Sequence, residues 1–80
     1  MQQIQNIVKL SPAERAVLNE LLEHDTVAQV ADALFVSQHT VKSHIYHLCG
    51  KFNVNSRHRL MVRAYQWGYL AVDGDDNAKQ

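Results

Sequence analysis

The sequence has few of the residues that mark secreted, membrane or multidomain proteins. One cysteine in 80 residues excludes an internal disulfide, and with it a disulfide-stabilised secreted scaffold. There is no run of about 18 apolar residues, and the glutamine-rich N-terminus lacks the basic and apolar segments of a signal peptide. A chain of this length has no room for a second, catalytic domain. These absences predict one small cytoplasmic domain with no membrane partner.

Acidic residues are missing from the middle of the chain, although eight basic and eight acidic residues make the whole chain neutral. Two basic against five acidic residues give residues 1–36 a net charge of −3, and one against three gives residues 73–80 a charge of −2. Residues 37–72 contain five basic residues, no acid and four of the five histidines. This segregation predicts one cationic face on a molecule of zero net charge.

Capping residues and apolar periodicity predict an all-α chain of four short helices with no strand. S-P-A-E at 11–14 and T-V-A-Q at 26–29 are capping boxes, so helices should begin at about residues 12 and 27. The first should end near residue 23, and Ser37 and Ser56 should cap the third and fourth. Apolar residues at helical spacing are expected to face the core: Val17, Leu18, Leu21, Leu22, Val30, Ala31, Leu34, Val41, Ile45, Leu48, Phe52, Leu60, Ala64 and Trp67.

The junction between the second and third helices leaves about three residues for a turn. So short a connection forces two helices to cross steeply, which is the helix-turn-helix geometry. The outer side of the third helix combines hydrogen-bonding and cationic groups: Gln38, Lys42, Ser43 and Tyr46, with His39 and His47 on its flanks. Because the major groove of DNA admits a helix and is read by such side chains, double-stranded DNA is the expected partner.

From Leu10 to about Leu70 the chain resembles the helix-turn-helix domain of LuxR/GerE-type bacterial transcription regulators. The matching stretches are L-S-P-A-E-R-A-V-L at 10–18, V-A-D-A-L-F-V-S at 30–37, H-T-V-K-S-H-I at 39–45 and N-S-R at 55–57. The resemblance implies a tetrahelical domain at 10–70, whose third helix enters the major groove and whose fourth mediates dimerisation. Residues 1–9 are then an N-terminal segment or linker, and residues 71–80 are expected to form a flexible acidic tail.

The resemblance also implies which side chains touch DNA. Lys42, Ser43 and Tyr46 match base-facing positions, and Gln38 is added to them from the outer side of the helix. Lys42 is the best candidate for guanine O6 and N7, whereas Tyr46 either contacts a base or packs over Lys42. Backbone contacts are assigned to Thr26, Ser37, Thr40, His44, His47 and Lys51. On the fourth helix, the apolar residues left after the core is assigned predict a homodimer interface made by Met61, Val62 and Tyr65, with packing into the core as the alternative for Met61.

Three positions depart from the family pattern. His24 and Phe35 stand where the family usually has glycine, so either they adopt a left-handed backbone or the turns differ, and Phe35 could instead pack as an apolar plug. Gly50 stands where the family tends to have a basic residue. Glycine lowers helix stability by about 1 kcal/mol relative to alanine, so the third helix is expected to end or loosen near residues 49–50.

Three alternatives to DNA binding are a metal site, an enzyme and a protein-interaction module. His44 and His47, with His39 and Cys49 nearby, raise the question of a metal site, but this spacing does not bring four ligands to one point. No paired carboxylates, glycine-rich loop or nucleophile motif is present, so neither cofactor nor enzymatic activity is expected. The alternative to DNA binding is a protein-interaction module of the same fold that pairs with another regulator. A larger regulator or a separate sensor domain would then be a further partner.

Overall fold

The computed structural model describes residues 8–70, and in that range the chain forms four helices and no strand. The helices are α1 (Pro12–Glu23), α2 (Val27–Leu34), α3 (Gln38–Phe52) and α4 (Arg57–Gln66). The all-α fold with a helix-turn-helix is therefore confirmed. The predicted acidic tail and all but two residues of the N-terminal segment lie outside the described range. Within it, no helix has the length and apolar character needed to cross a membrane.

Each helix begins where its capping residue was predicted. The Ser11 hydroxyl accepts the Glu14 backbone N–H at 3.1 Å, while the Glu14 carboxylate accepts the Ser11 N–H at 3.0 Å. Thr26 and Gln29 form the same reciprocal pair at the start of α2. Ser37 caps α3 through the Thr40 N–H, and Ser56 caps α4. These bonds satisfy orphan N–H groups locally, which explains why sequence alone located the helix starts.

The core lies between the four helices, and α3 packs against all three others. Val41, Leu48 and Phe52 of α3 are fully buried, with Ile45 at the edge of the core. The Phe52 ring also contacts the rings of Trp67 and Tyr69, at centroid distances of 5.6 and 5.3 Å. One predicted core residue is wrong, because Leu22 is 44% exposed. The stripe on α1 needs only Val17, Leu18 and Leu21 to cover the core.

The two residues that stand where the family has glycine adopt different backbone conformations. His24 has an extended backbone, with φ −131°, so the turn after α1 does not need the left-handed conformation. Phe35 is left-handed, with φ 59° and ψ 42°, and its N–H bonds to the carbonyls of Ala31 and Asp32. Its side chain is 93% exposed, which rules out the apolar plug. The short turn therefore demands this conformation whatever the side chain.

The expectation that α3 ends or loosens near residues 49–50 is wrong. The helix continues to Phe52 and is closed by Asn53, whose left-handed backbone (φ 58°) directs its N–H to the Cys49 and Gly50 carbonyls. Burial of Phe52 and this terminal cap offset the low helix propensity of Gly50. A Cβ on Gly50 would meet no atom within 4 Å, so the fold itself does not require glycine there.

Candidate nucleic-acid interface

The side of α3 opposite the core presents the predicted base-reading residues on one surface. Val41, Leu48 and Phe52 hold the helix in place from below. Side chains four positions apart lie on the same helical face, so Gln38, Lys42 and Tyr46 form one exposed row. Ser43 lies beside this row and is half-buried. The structure thus brings together all four predicted base-reading residues, on a helix that the core keeps from tilting.

Lys42 and Tyr46 are both accessible from solvent. The Lys42 side chain makes no hydrogen bond or ion pair with any residue in the range 8–70, so its ammonium is available to a ligand. Tyr46 is 76% exposed, and its ring packs edge-on against His47 with centroids 5.7 Å apart. The described ring contact of Tyr46 is therefore with His47 and not with Lys42.

The predicted backbone contacts divide between helix starts and histidines. Thr26 and Ser37 are exposed at the N-termini of α2 and α3, where their hydroxyls cap Gln29 and Thr40. The Ser37 hydroxyl also donates to the half-buried Thr40 hydroxyl at 2.9 Å. The two histidines differ in exposure. His44 is half-buried beside α1, in a small groove that it shares with Ala13, Ala16, Val17, Leu34, Val36 and Thr40, whereas His47 is exposed.

The Lys51 ammonium forms hydrogen bonds to other groups of the same chain. Its Nζ donates to Glu14 Oε1 at 2.6 Å and to the Lys9 carbonyl at 2.8 Å. Glu14 is 7% exposed, and the hydrogen bond from Lys51 lowers the pKa of its carboxyl, helped by the Ser11 N–H. Burial acts in the opposite direction but does not outweigh these bonds. Lys9 is thereby joined to α3, and the Val8 N–H donates to the Tyr69 hydroxyl.

Two arginines of the predicted cationic face are also bound internally. Arg57 donates from Nη1 to the Asp25 carbonyl at 2.7 Å, and from Nη2 to the Leu21 carbonyl at 2.9 Å and to the His24 carbonyl. Arg63 donates to the Phe52 carbonyl at 2.9 Å and lies over the Trp67 ring. Both close helix ends, where carbonyls lack intrahelical donors. Sequence reasoning counted these charges correctly but missed their partners.

Within residues 8–70, no group of three or more His, Cys, Asp or Glu side chains is placed to hold a metal ion. Cys49 is half-buried, with its Sγ 3.8 Å from the Ser56 carbonyl. Burial raises the pKa of the Cys49 thiol, which keeps it protonated and a poor nucleophile. The chemistry of this surface is therefore hydrogen bonding and charge.

A second accessible surface lies where α1 and α4 meet. Val62 and Tyr65 are 37% and 51% exposed, and Met61 is half-buried against the core. They line a shallow groove of about 440 Å³ together with Leu22, His58, Gln66 and Leu70. Leu22 was expected to face the core, and its place in this groove was not predicted. The available signal was that α1 has one more apolar residue than its core-facing stripe can bury.

Comparison with known proteins agrees with this geometry. Residues 8–64 match the family model described as bacterial regulatory proteins, luxR family. The chain is 32% identical over 63 residues to the spore germination protein GerE of Bacillus subtilis strain 168, covering 79% of this chain and 85% of that protein. A solved structure of the transcription factor GerE superposes with a TM-score of 0.71 at 24% identity, over 78% of this chain and 92% of that one. The structural likeness shows the shared fold.

Proposed function

This chain belongs to the luxR family of bacterial regulatory proteins, a family of DNA-binding transcription regulators and not of enzymes, and from this premise we propose that α3 reads base sequence in the major groove. The observation that carries the proposal is the exposed row of Gln38, Lys42 and Tyr46 on a helix packed against the other three. The row contains no acid, and the Lys42 ammonium has no partner within residues 8–70. The packed helix therefore presents exposed polar groups that can contact base edges.

Base recognition follows from the donors and acceptors of this row. Lys42 can donate to guanine O6 and N7, and Gln38 can both donate to and accept from adenine N7 and N6. Ser43 adapts to either kind of base edge, and Tyr46 offers its hydroxyl or its ring face. The core contacts of Val41 and Leu48 keep α3 from rolling, so these groups face the groove without reorganising.

Backbone contacts would orient the domain on the duplex. The N-termini of α2 and α3, at Thr26 and Ser37, direct N–H groups and the positive end of each helix dipole outward, where a phosphate is stabilised. Thr40, His44 and His47 also belong to α3, where exposed His47 and half-buried Thr40 and His44 would contact phosphates beside the groove. Lys51 has one N–H left after its two internal bonds, so its contribution to phosphate binding is secondary to its structural one.

The proposal includes a homodimer on an inverted repeat, acting in the bacterial cytoplasm where the chromosome lies. The apolar groove of Met61, Val62 and Tyr65 supports a two-fold pairing of α4 with α4 of a second copy. Such a pairing would bring two α3 helices to major grooves on one side of the duplex.

A second candidate is the protein-interaction module, which pairs with another regulator through the same groove. One observation favours it: among the five basic residues of the segment 37–72, Lys51 is paired with Glu14, and Arg57 and Arg63 already donate to backbone carbonyls, which leaves fewer donors for phosphates. The two functions differ in their response to salt. Phosphate neutralisation gives a steep fall of DNA affinity with salt, whereas an interaction module binds duplex weakly and without this dependence.

The test begins with selection of a preferred duplex from a randomised pool, followed by titration of base-pair variants. Lys42→Ala is expected to lose about 1–3 kcal/mol of discrimination at one base position, because one base-edge contact disappears. Arg59→Ala is the matched control, since Arg59 is an exposed α4 cation whose side chain has no partner among residues 8–70. It should retain discrimination. Full discrimination by the Lys42 variant would contradict the assignment of α3 as reader, and salt-independent or absent binding would favour the interaction module.

A further inference from the structure

We propose that this protein binds double-stranded DNA together with protons, which are taken up by the histidines of α3. The inference deepens the proposed function and rests on it. The inference is based on which basic side chains of α3 and α4 already have partners within the protein. Lys51, Arg57 and Arg63 are held by a carboxylate or by backbone carbonyls, which leaves Lys42 as the α3 cation without an internal partner among residues 8–70. The other basic side chains of α3 are His39, His44 and His47.

The three imidazoles lie on α3 at different distances from the row of Gln38, Lys42 and Tyr46. His39 is exposed in the first turn of α3, next to the Ser37 cap. His47 is exposed beside Tyr46, whereas His44 is half-buried and borders the groove against α1 and the turn. A duplex that contacts Lys42 and Tyr46 therefore comes close to the two exposed imidazoles first.

The charged side chains of the neighbouring elements form no ion pair with the α3 imidazoles within residues 8–70, so the DNA phosphates are the proposed partners. On α1, Glu14 shares a surface depression with His47 but is already paired with Lys51, and Arg15 is exposed. The ionisable side chain of α2 is the exposed Asp32, which makes no ion pair within the described range. On α4, Arg57 and Arg63 are bound to carbonyls, while His58 lies in the groove against α1. No carboxylate in residues 8–70 bonds an α3 imidazole.

Binding phosphates next to these imidazoles favours their protonated form, because an opposite charge within about 4–6 Å stabilises the ion. An imidazolium donates from both ring nitrogens, whereas the neutral ring donates from one. Histidine is the side chain whose ordinary titration falls near neutral pH. The complex then holds more protons than the free protein, so its affinity rises as pH falls, with a slope equal to the number of protons taken up.

The experiment uses a fluorescein-labelled duplex of about 20 base pairs of mixed sequence, because phosphate contacts do not require the cognate site. Anisotropy titrations at constant ionic strength are expected to show affinity about tenfold or more higher near pH 6 than near pH 8. The salt dependence should also steepen at the lower pH, since each additional phosphate contact releases counterions. Calorimetry of the unmodified protein in two buffers of different ionisation enthalpy counts the protons directly.

Variants assign the uptake to α3. His39→Gln and His47→Gln, both at exposed positions, should each reduce the pH slope, and their combination with His44→Gln should remove most of it. His24→Gln is the matched control, because His24 bonds to Glu20 and lies outside α3 and the proposed dimer groove. Binding that is independent of pH, or a slope that the control variant abolishes, would overturn the inference alone. Failure to bind the duplex at any pH would overturn the proposed function with it.

Discussion

Phe35 shows what a short turn requires of a single residue. Its left-handed backbone is disfavoured for residues with a Cβ by roughly 1–2 kcal/mol, and its exposed side chain recovers little of this by burial. The turn needs the conformation because the Phe35 and Val36 N–H groups close α2 on the carbonyls of Ala31 and Asp32. Strain at this position is therefore a consequence of joining two steeply crossing helices.

Phe35→Gly is expected to raise the free energy of unfolding by up to about 1 kcal/mol. Glycine removes the steric penalty, although part of the gain is lost to the greater entropy of the unfolded chain. Urea denaturation measures the difference. Asn53→Ala is the opposing control, because Asn53 is also left-handed and asparagine tolerates that region better than alanine. A marked loss of stability in Phe35→Gly would mean that the Phe35 ring contributes contacts that outweigh the strain.

Among helical elements, α1 and α3 are joined by an ion pair that neither helix predicts by itself. Glu14 belongs to the capping box of α1, and Lys51 lies in the last turn of α3. The pKa of the Glu14 carboxyl is lowered, so its charged form is favoured in the folded protein. A group of this kind stabilises the fold fully above its unfolded pKa, near 4.5. That stabilisation is lost as pH falls through the lowered folded-state pKa.

Glu14→Gln should therefore lower stability by about 1–3 kcal/mol near neutral pH, where a charge-assisted hydrogen bond disappears. Glutamine keeps the capping box, so the change isolates the charge. The gap between the two proteins should narrow as pH falls below about 4.5 in urea denaturation. Glu23→Gln, at an exposed α1 position, is the control, and its difference in stability from the unmodified protein should not narrow in this way at acidic pH. A gap that stays constant down to strongly acidic pH would contradict the role given to this pair.

The elements also show where sequence reasoning succeeds. Helix starts were predictable because Ser11, Thr26, Ser37 and Ser56 each accept the N–H of the residue three positions later. The partners of Lys51 and Arg57 were not, since their acceptors lie tens of positions away in the chain and depend on the packed arrangement. The sequence gives the charge of each side chain, but whether that side chain is free to bind a ligand depends on its tertiary contacts. The exposure of Gln38, Lys42 and Tyr46 on α3 was predictable because it depends only on helical periodicity and the buried stripe beneath it.

At the scale of the whole molecule, the two candidate binding surfaces lie on different elements. The exposed row of Gln38, Lys42 and Tyr46 belongs to α3, and the apolar groove lies between α1 and α4. A small domain with an exposed Leu22, Val62 and Tyr65 in one groove presents an apolar patch of the kind that marks association sites. Separation of the two surfaces would allow self-association and DNA contact to occur together.

Tyr65→Ala is expected to weaken self-association at least tenfold, because a two-fold interface contains the substituted residue twice and buried tyrosines contribute disproportionately to interfaces. Sedimentation equilibrium measures the dimer constant, and gel-shift titration on a duplex with two half-sites measures cooperativity. Tyr46→Ala is the matched control: it removes the same side chain from α3, and should lower DNA affinity while leaving the dimer constant unchanged. Leu22→Ala should weaken association in the same direction as Tyr65→Ala, since both line the groove. If Tyr65→Ala changes neither self-association nor cooperative binding, the two copies do not pair through α4, and the order of half-sites on the duplex must be set by another surface.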